Sequence, residues 1–418
     1  MYQVQDSVAL LRQRRLLGRR TATPLVSRTV VLLGLTSLFT DVSSEMVAAV
    51  LPLFLIFTVG LTPLQFGVLD GVYQGASALV RIASGFVADR QRRHKELAVA
   101  GYGISAACKL GLLAAGGALG ALTAIILLDR TGKGIRTAPR DALISLSTPR
   151  DRLATAFGVH RALDTVGALI GPLLAFGILA LAPLAFDTIF VVSFCIALIG
   201  LGIIVLFVEN RPRVVDESER LSARAAAALL KGARFRMLVL VGSLLGLVTI
   251  SDGFVFLVLQ RHADLELGFF PLLYVGTALA YMVLAVPAGR LADRFGRVRV
   301  FVGGYALLLA VYASLLVPDT GTTGVVGALL LLGAYYAATE GVLMALASAV
   351  LPPELRASGL AVLVTATSIA RLLASILFGA AWTAFGLEPA IAVFSFALVA
   401  AAGAALVLAR RAPEPHAA

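Results

Sequence analysis

Two stretches of this chain carry the same loop: GFVADRQRRHK (Gly85–Lys95) and GRLADRFGRVR (Gly289–Arg299). They align without gaps. Gly85, Asp89, Arg90 and Arg93 stand 204 residues before Gly289, Asp293, Arg294 and Arg297, close to half of the 418-residue chain. Each copy closes one long apolar segment and opens the next. A chain that repeats itself at half its length in this way is built from two parallel copies of one unit.

Outward from those loops the chain is apolar. Hydrophobic residues make up 59%, charged residues 14%, and mean hydropathy is +0.93. That balance leaves too little polar surface for a water-soluble fold of this length. Apolar segments long enough to cross a bilayer recur twelve times: 28–57, 63–88, 96–117, 121–141, 152–181, 186–208, 235–260, 269–290, 298–317, 322–348, 356–385 and 389–409. A spanning segment must satisfy its own backbone, and these lack the alternation of barrel strands, so each is predicted to be a helix. The expectation is an all-α membrane protein: a six-helix bundle over 1–208, a charged linker over 209–234 and a second six-helix bundle over 235–418. Parallel six-helix repeats are a transporter architecture, with the substrate site at the repeat interface near the midplane.

The net charge of +11 would suit a nucleic-acid binder, but its placement argues against that class. Basic residues gather in the N-terminal tail (Arg12, Arg14, Arg15, Arg19, Arg20, Arg28), after segment 2 (Arg90, Arg92, Arg93, Lys95), in the linker, and after segment 8 (Arg290, Arg294, Arg297, Arg299). The alternate loops hold one, Arg261. Basic loops that alternate in this way mark the cytoplasmic side. Both termini are therefore expected in the cytoplasm and the chain in the cell (inner) membrane, with some attraction to anionic lipid. Arg19-Arg20 does not read as a twin-arginine signal, because the apolar run behind it is too long and holds internal charges. Cys108 and Cys195 lie inside helices without CxxC spacing and read as packing residues. The sequence has no phosphate loop, HExxH or nucleophile elbow, so neither catalysis nor ATP drive is expected. No cofactor and no metal site is expected either.

The loop Gly-x-x-x-Asp-Arg-x-Gly-Arg between segments 8 and 9, with its copy between segments 2 and 3, resembles the signature of the major facilitator superfamily. The first copy departs from it, having Arg92 where the family usually has glycine. The resemblance spans the chain. It implies a monomeric secondary transporter in which these loops pin helix ends together as the protein opens outward, making Asp89 and Asp293 gating residues. It also implies that helices 3, 6, 9 and 12 lie outside a central cavity formed by the other eight.

Intramembrane charges mark pathways, because lipid does not tolerate them, and they follow that assignment. Helices 6, 9 and 12 hold none in their interiors, and helix 3 holds one, Lys109. The others carry Asp41 and Glu45 (helix 1), Asp70 and Arg81 (2), Asp129, Arg130 and Lys133 (4), His160, Arg161 and Asp164 (5), Asp252 (7), Glu340 (10) and Arg371 (11). The stretch TDVSSEM (Thr40–Met46) sets two acids near the bilayer centre, where each costs about 2.5–3.5 kcal/mol when ionised. Ser37, Asp41, Ser44 and Ala48 share one helical face with Glu45 beside them. That face should look into a wet cavity, with bases of helices 4 and 5, Arg130 or Arg161, as partners. A structural ion-pair network is the competing reading.

In helix 4, Asp129, Lys133, Arg136 and Arg140 recur at i, i+4, i+7 and i+11 as one charged stripe. The piece RTGKG resembles the R-x-x-Q-G motif of proton-coupled drug exporters, with Lys133 replacing glutamine, and the resemblance assigns Arg130 to proton transfer. In helix 5, His160, Asp164, Gly167 and Gly171 share a face ahead of Pro172. G-x-x-x-G-P resembles an antiporter signature. Its glycines admit a neighbouring helix and its proline bends the helix. His160 reads either as a proton relay or as a plain hydrogen-bonded histidine.

The second half is less charged and more aromatic. Tyr274, Thr277 and Tyr281 share a face of helix 8, and Tyr336 and Glu340 a face of helix 10. This suits a cavity wall for an organic substrate, or ordinary bundle packing. Arg371 and Glu340 fall at compatible depths. FTDVSSEM and DRTGKGIRTAPRDAL also resemble a prokaryotic subgroup that includes nickel-resistance exporters, although the chain ends only in His416 where some carry a His-rich tail. The expectation is proton-coupled export of a small solute: a cationic compound, a drug or a divalent metal. Its rivals are proton symport of an organic anion bound by Arg130, Arg161 and Arg371, and a lipid-handling or enzymatic membrane protein on the same scaffold.

Overall fold

The structure, a computed structural model, describes residues 26–91, 94–149, 152–209, 229–318, 321–352 and 355–411. Of the first signature loop, Arg92 and Arg93 lie outside the described residues, as does most of the linker. The helices are α1 (Arg28–Leu53), α2 (Pro63–Gln91), α3 (His94–Ala114), α4 (Leu119–Leu146), α5 (Leu153–Leu181) and α6 (Phe186–Phe207), then α7a (Ala233–Leu247) and α7b (Asp252–His262). The remainder are α8 (Phe270–Phe295), α9 (Arg297–Ser314), α10 (Gly321–Val350), α11 (Arg356–Phe385) and α12 (Leu387–Arg411). No strand occurs among the described residues. Ten of the twelve spans are long and apolar enough to cross a bilayer by length and composition. The other two, α2 and α4, are as long, at 29 and 28 residues, but carry much of the polar load of the first half.

Two departures from regular helix matter. After Pro52, which cannot donate a backbone hydrogen bond, α1 widens into a π-helical turn over Phe54–Thr58. The seventh segment, expected as one helix over 235–260, is instead broken between α7a and α7b. Ser251 there is extended, with φ −69° and ψ 154°, typical of a residue that starts a helix rather than continues one. The hydroxyl of Tyr312 on α9 ties the break, accepting from the Ile250 N–H (2.7 Å) and donating to the Val248 carbonyl (3.0 Å).

Within the first six helices, α1 packs along α5 and α6, and α2 and α3 along α4. Small residues set the closest approach. A Cβ added at Gly167 would lie 2.6 Å from the Leu38 carbonyl oxygen, and one at Gly171 2.7 Å from that of Val42. These glycines let α5 lie backbone to backbone on α1.

The two halves meet along α2 and α11. At Gly71 a Cβ would lie 2.7 Å from the Leu372 carbonyl oxygen, and the Leu64 N–H donates to Thr383 Oγ1 at 3.0 Å. Phe254 of α7b packs edge-on against Phe66 of α2 and Phe378 of α11, each at 4.8 Å between centroids. Phe176 of α5 meets Phe269, just before α8, at 5.6 Å. The contacts at Leu64 and Phe176 lie at the bundle end where α1 gives way to α2.

Candidate functional site

Helices α1 and α4 run antiparallel, and their charged stripes face each other in rungs. Nearest the α4–α5 end, Arg140 donates to Ser37 Oγ (3.2 Å) and pairs with Asp141 (2.9 Å). Ser37 Oγ also lies 3.0 Å from His160 Nε2, while His160 Nδ1 is 3.5 Å from Asp164. One turn on, Arg136 reaches Asp41 at 3.9 Å and stacks on the Tyr102 ring at 4.8 Å. At the third rung, Glu45 and Lys133 line the same lobe of the cavity, beside Arg130. No side chain lies within ion-pairing distance of Glu45 among the described residues. The i, i+4 spacing on α1 and the i, i+3, i+7 spacing on α4 build this ladder.

Asp129 faces away from the ladder. It pairs with Lys109 of α3 at 2.9 Å and with Arg130, whose guanidinium also stacks over Tyr73 at 3.9 Å. Lys109 and Arg130 are only 3% and 4% exposed, so each base needs this carboxylate. Lys109, the one charge that seemed out of place on a peripheral helix, is thus the partner of a cavity-forming helix.

In the second half, Tyr336 donates to Asp252 Oδ1 at 2.6 Å. Asp70 of α2 accepts from Ser375 of α11 at 2.6 Å, a polar contact between the halves. Glu340 is exposed and Arg371 half-buried. They line one cavity, but no ion pair within 4 Å joins them among the described residues.

The central cavity has two lobes. The first, about 320 Å³, lies against Asp70, Tyr73, Arg130 and Lys133. The second, about 480 Å³, lies against Phe256, Thr277, Tyr281, Tyr336, Glu340 and Arg371. Four side chains line both and form a waist: Glu45, Gln74, Asp252 and Tyr274. Pro172 borders the second lobe.

The structure brings Glu45, Arg130, Lys133, Asp252, Tyr274, Tyr281, Tyr336, Glu340 and Arg371 to this cavity. Asp41, His160 and Asp164 belong to the adjoining ladder, and Arg161 is exposed on α5. The base nearest Asp41 is Arg136 rather than the expected Arg130 or Arg161, and Glu45 shares its lobe of the cavity with both Lys133 and Arg130. Sequence reasoning also passed over Asp70 and Gln74 as site residues. Asp70 stood among the intramembrane charges, but nothing in the pattern tied it to the waist.

In the second signature loop, Asp293 and Arg297 pair at 3.2 Å on the surface, and Arg294 lies over the Phe295 ring at 5.3 Å. Gly296 joins α8 to α9 with φ +99°, a conformation that favours glycine. Gly289 lies within α8, one turn before Asp293, with open space where a Cβ would stand. In the first loop, Gly85, Asp89 and Arg90 lie in the last turns of α2, and Arg93 lies outside the described residues.

Twelve spanning helices around a central cavity lined by charged groups from both halves define a membrane transporter. Residues 33–276 and 253–418 match the Major Facilitator Superfamily, and the chain belongs to that family. An uncharacterized MFS-type transporter of Methanocaldococcus jannaschii is 30% identical over 362 residues, covering 85% of this chain and 89% of that one. An uncharacterized protein of Mycobacterium tuberculosis is 37% identical over 155 residues, 37% of either chain. Among solved structures, the nucleoside transporter NupG superposes with a TM-score of 0.77 at 15% identity, covering 92% of this chain and 100% of that one. An auto-inhibited POT family peptide transporter does so with 0.78 at 13% identity, covering 93% and 98%. At such identities the likeness concerns the fold. Family and fold point to a transporter rather than an enzyme.

Proposed function

We propose that this chain is a proton-coupled exporter of organic cations, working as a monomer by alternating access in the cell membrane. One observation carries the cationic reading. Both charged residues at the cavity waist, Glu45 and Asp252, are acids, one from each half, whereas Arg130, Lys133 and Arg371 each line one lobe only. Aromatic walls from Tyr274, Tyr281, Tyr336 and Phe256 suit an organic cation. They suit it better than a bare metal ion, and the described residues hold no metal-binding group of three or more His, Cys, Asp or Glu.

Coupling follows from electrostatics. A carboxylate in a low-dielectric cavity must be paired, protonated or bound to substrate, but not left bare. Asp41 and Glu45 hold the coupling positions in this proposal, with Arg136 and Lys133 as the bases they leave and regain. The bundles over 1–208 and 235–418 rock about the α2–α11 seam. With the basic loops inside, the bundle end where α1 gives way to α2 is extracellular. Asp89 and Asp293 gate the opposite closure.

The test is purified protein in proteoliposomes, given a panel of radiolabelled organic cations that includes 2-phenylethylammonium, with an imposed pH gradient. Cation flux against the proton gradient, abolished by a protonophore, is expected. Anion uptake along the proton gradient would establish the rival symport reading. Asp41→Asn and Glu45→Gln should fold normally and lose gradient dependence. If both, and the double mutant, keep coupled flux, these acids do not couple. Asp89→Asn should lower turnover more than apparent affinity, and normal turnover would reduce the motif to a topology loop. Cysteine labelling near Arg92, Pro212 and Arg297 should find all three loops cytoplasmic.

A further inference from the structure

One arginine of the cavity wall is left open by the protein. The three arginines of α4 each meet a carboxylate: Arg130 pairs with Asp129, Arg136 lies 3.9 Å from Asp41, and Arg140 lies 2.9 Å from Asp141. Arg371 of α11 lines the larger lobe, half-buried, with neither ion pair nor hydrogen bond among the described residues. None of its nitrogens is sealed inside the protein. A guanidinium presents five donors in a fixed fork. Water can satisfy those donors, but it brings no countercharge, and a charge taken out of bulk water needs one.

The rest of the lobe decides what can bring that countercharge. Glu45, Asp252 and Glu340 line it, three acids against one base. A simple anion at Arg371 would meet their repulsion. A simple cation at Asp252 would add a second positive charge and leave the guanidinium unpaired. A molecule that carries both charges meets neither objection. Tyr336 occupies Asp252 Oδ1 at 2.6 Å, whereas Oδ2 has no partner among the described residues and is not sealed. Asp252 is thus open to an ammonium at the waist, and Arg371, which lines only the larger lobe, to a carboxylate beyond it. Tyr274, Tyr281 and Phe256 supply aromatic surface for an organic body.

We propose that the larger lobe binds a zwitterion: an organic molecule with an ammonium for Asp252 and a carboxylate for the fork of Arg371. This rests on the organic-cation reading above and narrows it to cations that carry their own carboxylate. A guanidinium fork matches a carboxylate through two parallel hydrogen bonds. Arg371 is therefore the specificity-determining residue, and Asp252 the anchor shared with plain amines. Because Glu340 stays beyond 4 Å, the fork is not spent on the lobe's own acid.

The experiment is calorimetric titration of the full-length protein in lipid nanodiscs, with three probes that share a phenyl body. They are L-phenylalanine, 2-phenylethylammonium, which lacks the carboxylate, and 3-phenylpropanoate, which lacks the ammonium. Wild type should bind phenylalanine at least about tenfold more tightly than either. Arg371→Gln should bring phenylalanine down to the level of 2-phenylethylammonium. Arg371→Lys keeps the charge without the fork and should hold only part of the preference. If Arg371→Gln binds nothing, Arg371→Lys decides, and an undiminished preference there overturns the proposal. Equal binding of phenylalanine and 2-phenylethylammonium by wild type also overturns it. So does a preference that survives in Arg371→Gln, tightest binding of 3-phenylpropanoate, or the absence of binding by all three. Equilibrium binding needs no proton gradient. A preference for phenylalanine without gradient-driven flux would therefore remove coupling and keep this assignment, whereas gradient-driven cation flux without that preference would remove this assignment alone.

Discussion

The two halves wall one cavity but stabilise their intramembrane acids by different means. In the first half, Asp41, Asp129 and Asp141 face arginine or lysine, and Asp164 faces His160. In the second, Asp252 is met by the phenol of Tyr336, in a region crowded with Tyr305, Tyr312 and Tyr335. An ion pair and a phenol do different things for a carboxylate. A base supplies countercharge and can be exchanged for a proton. A phenol fixes position and leaves the charge in place. The first half therefore has the chemistry for exchanging ions, and the second has the chemistry for holding a shape.

The largest effect expected from this contrast is at Asp129. Asp129→Asn leaves two nearly fully buried bases, Lys109 and Arg130, without countercharge. It should cost about 3–5 kcal/mol, read as a fall in thermal unfolding temperature. Asp252→Asn keeps an acceptor for the Tyr336 hydroxyl but makes it neutral, and should cost less, about 1 kcal/mol. Equal losses in the two mutants would erase the distinction between the halves. Tyr312→Phe strips both ties from the α7 break, leaving a buried N–H and a carbonyl exposed to nothing polar from that ring. A loss of about 2 kcal/mol is expected, and an unchanged unfolding temperature would show that the break needs no tie. The smallest effect belongs to the surface pair Asp293–Arg297, with side chains 69% and 42% exposed. Arg297→Ala should change stability by less than about 0.5 kcal/mol, so any larger change in turnover from this substitution reports gating rather than folding.

Much of this was legible in the sequence, and what was not has a common cause. The twelve spans follow from apolar length, and the stripes on α1 and α4 follow from helical spacing, because both are properties of a single helix. Which rung meets which is not. Partner choice depends on the stagger of two helices, and that is set where backbones touch, as at Gly167 and Gly171 against α1. Hence Asp41 lies nearest Arg136 instead of Arg130 or Arg161, and Lys109 pairs with Asp129 from a helix taken to lie outside the cavity. The α7 break carried a signal, since Ser251-Asp252-Gly253 resembles the start of a helix. The apolar residues on either side of it outweighed that signal. Asp70 escaped notice because its partner, Ser375, lies 305 residues away in the other half.

The α2–α11 seam has a mechanical consequence. Where side chains interlock, one helix can roll on another only if its ridges climb out of the partner's grooves. Gly67, Gly71 and Gly379 remove the ridges at this seam, so that carbonyls and backbone carbons of the two halves lie against each other. Such a surface works as a bearing. In the proposed rocking of the two bundles, it keeps them in contact and permits a small rotation without first prying packed side chains apart. It also accepts no padding, because even the methyl group of Gly71→Ala would press on the Leu372 carbonyl oxygen. The smoothness of the pivot thus depends on residues that never touch what is carried.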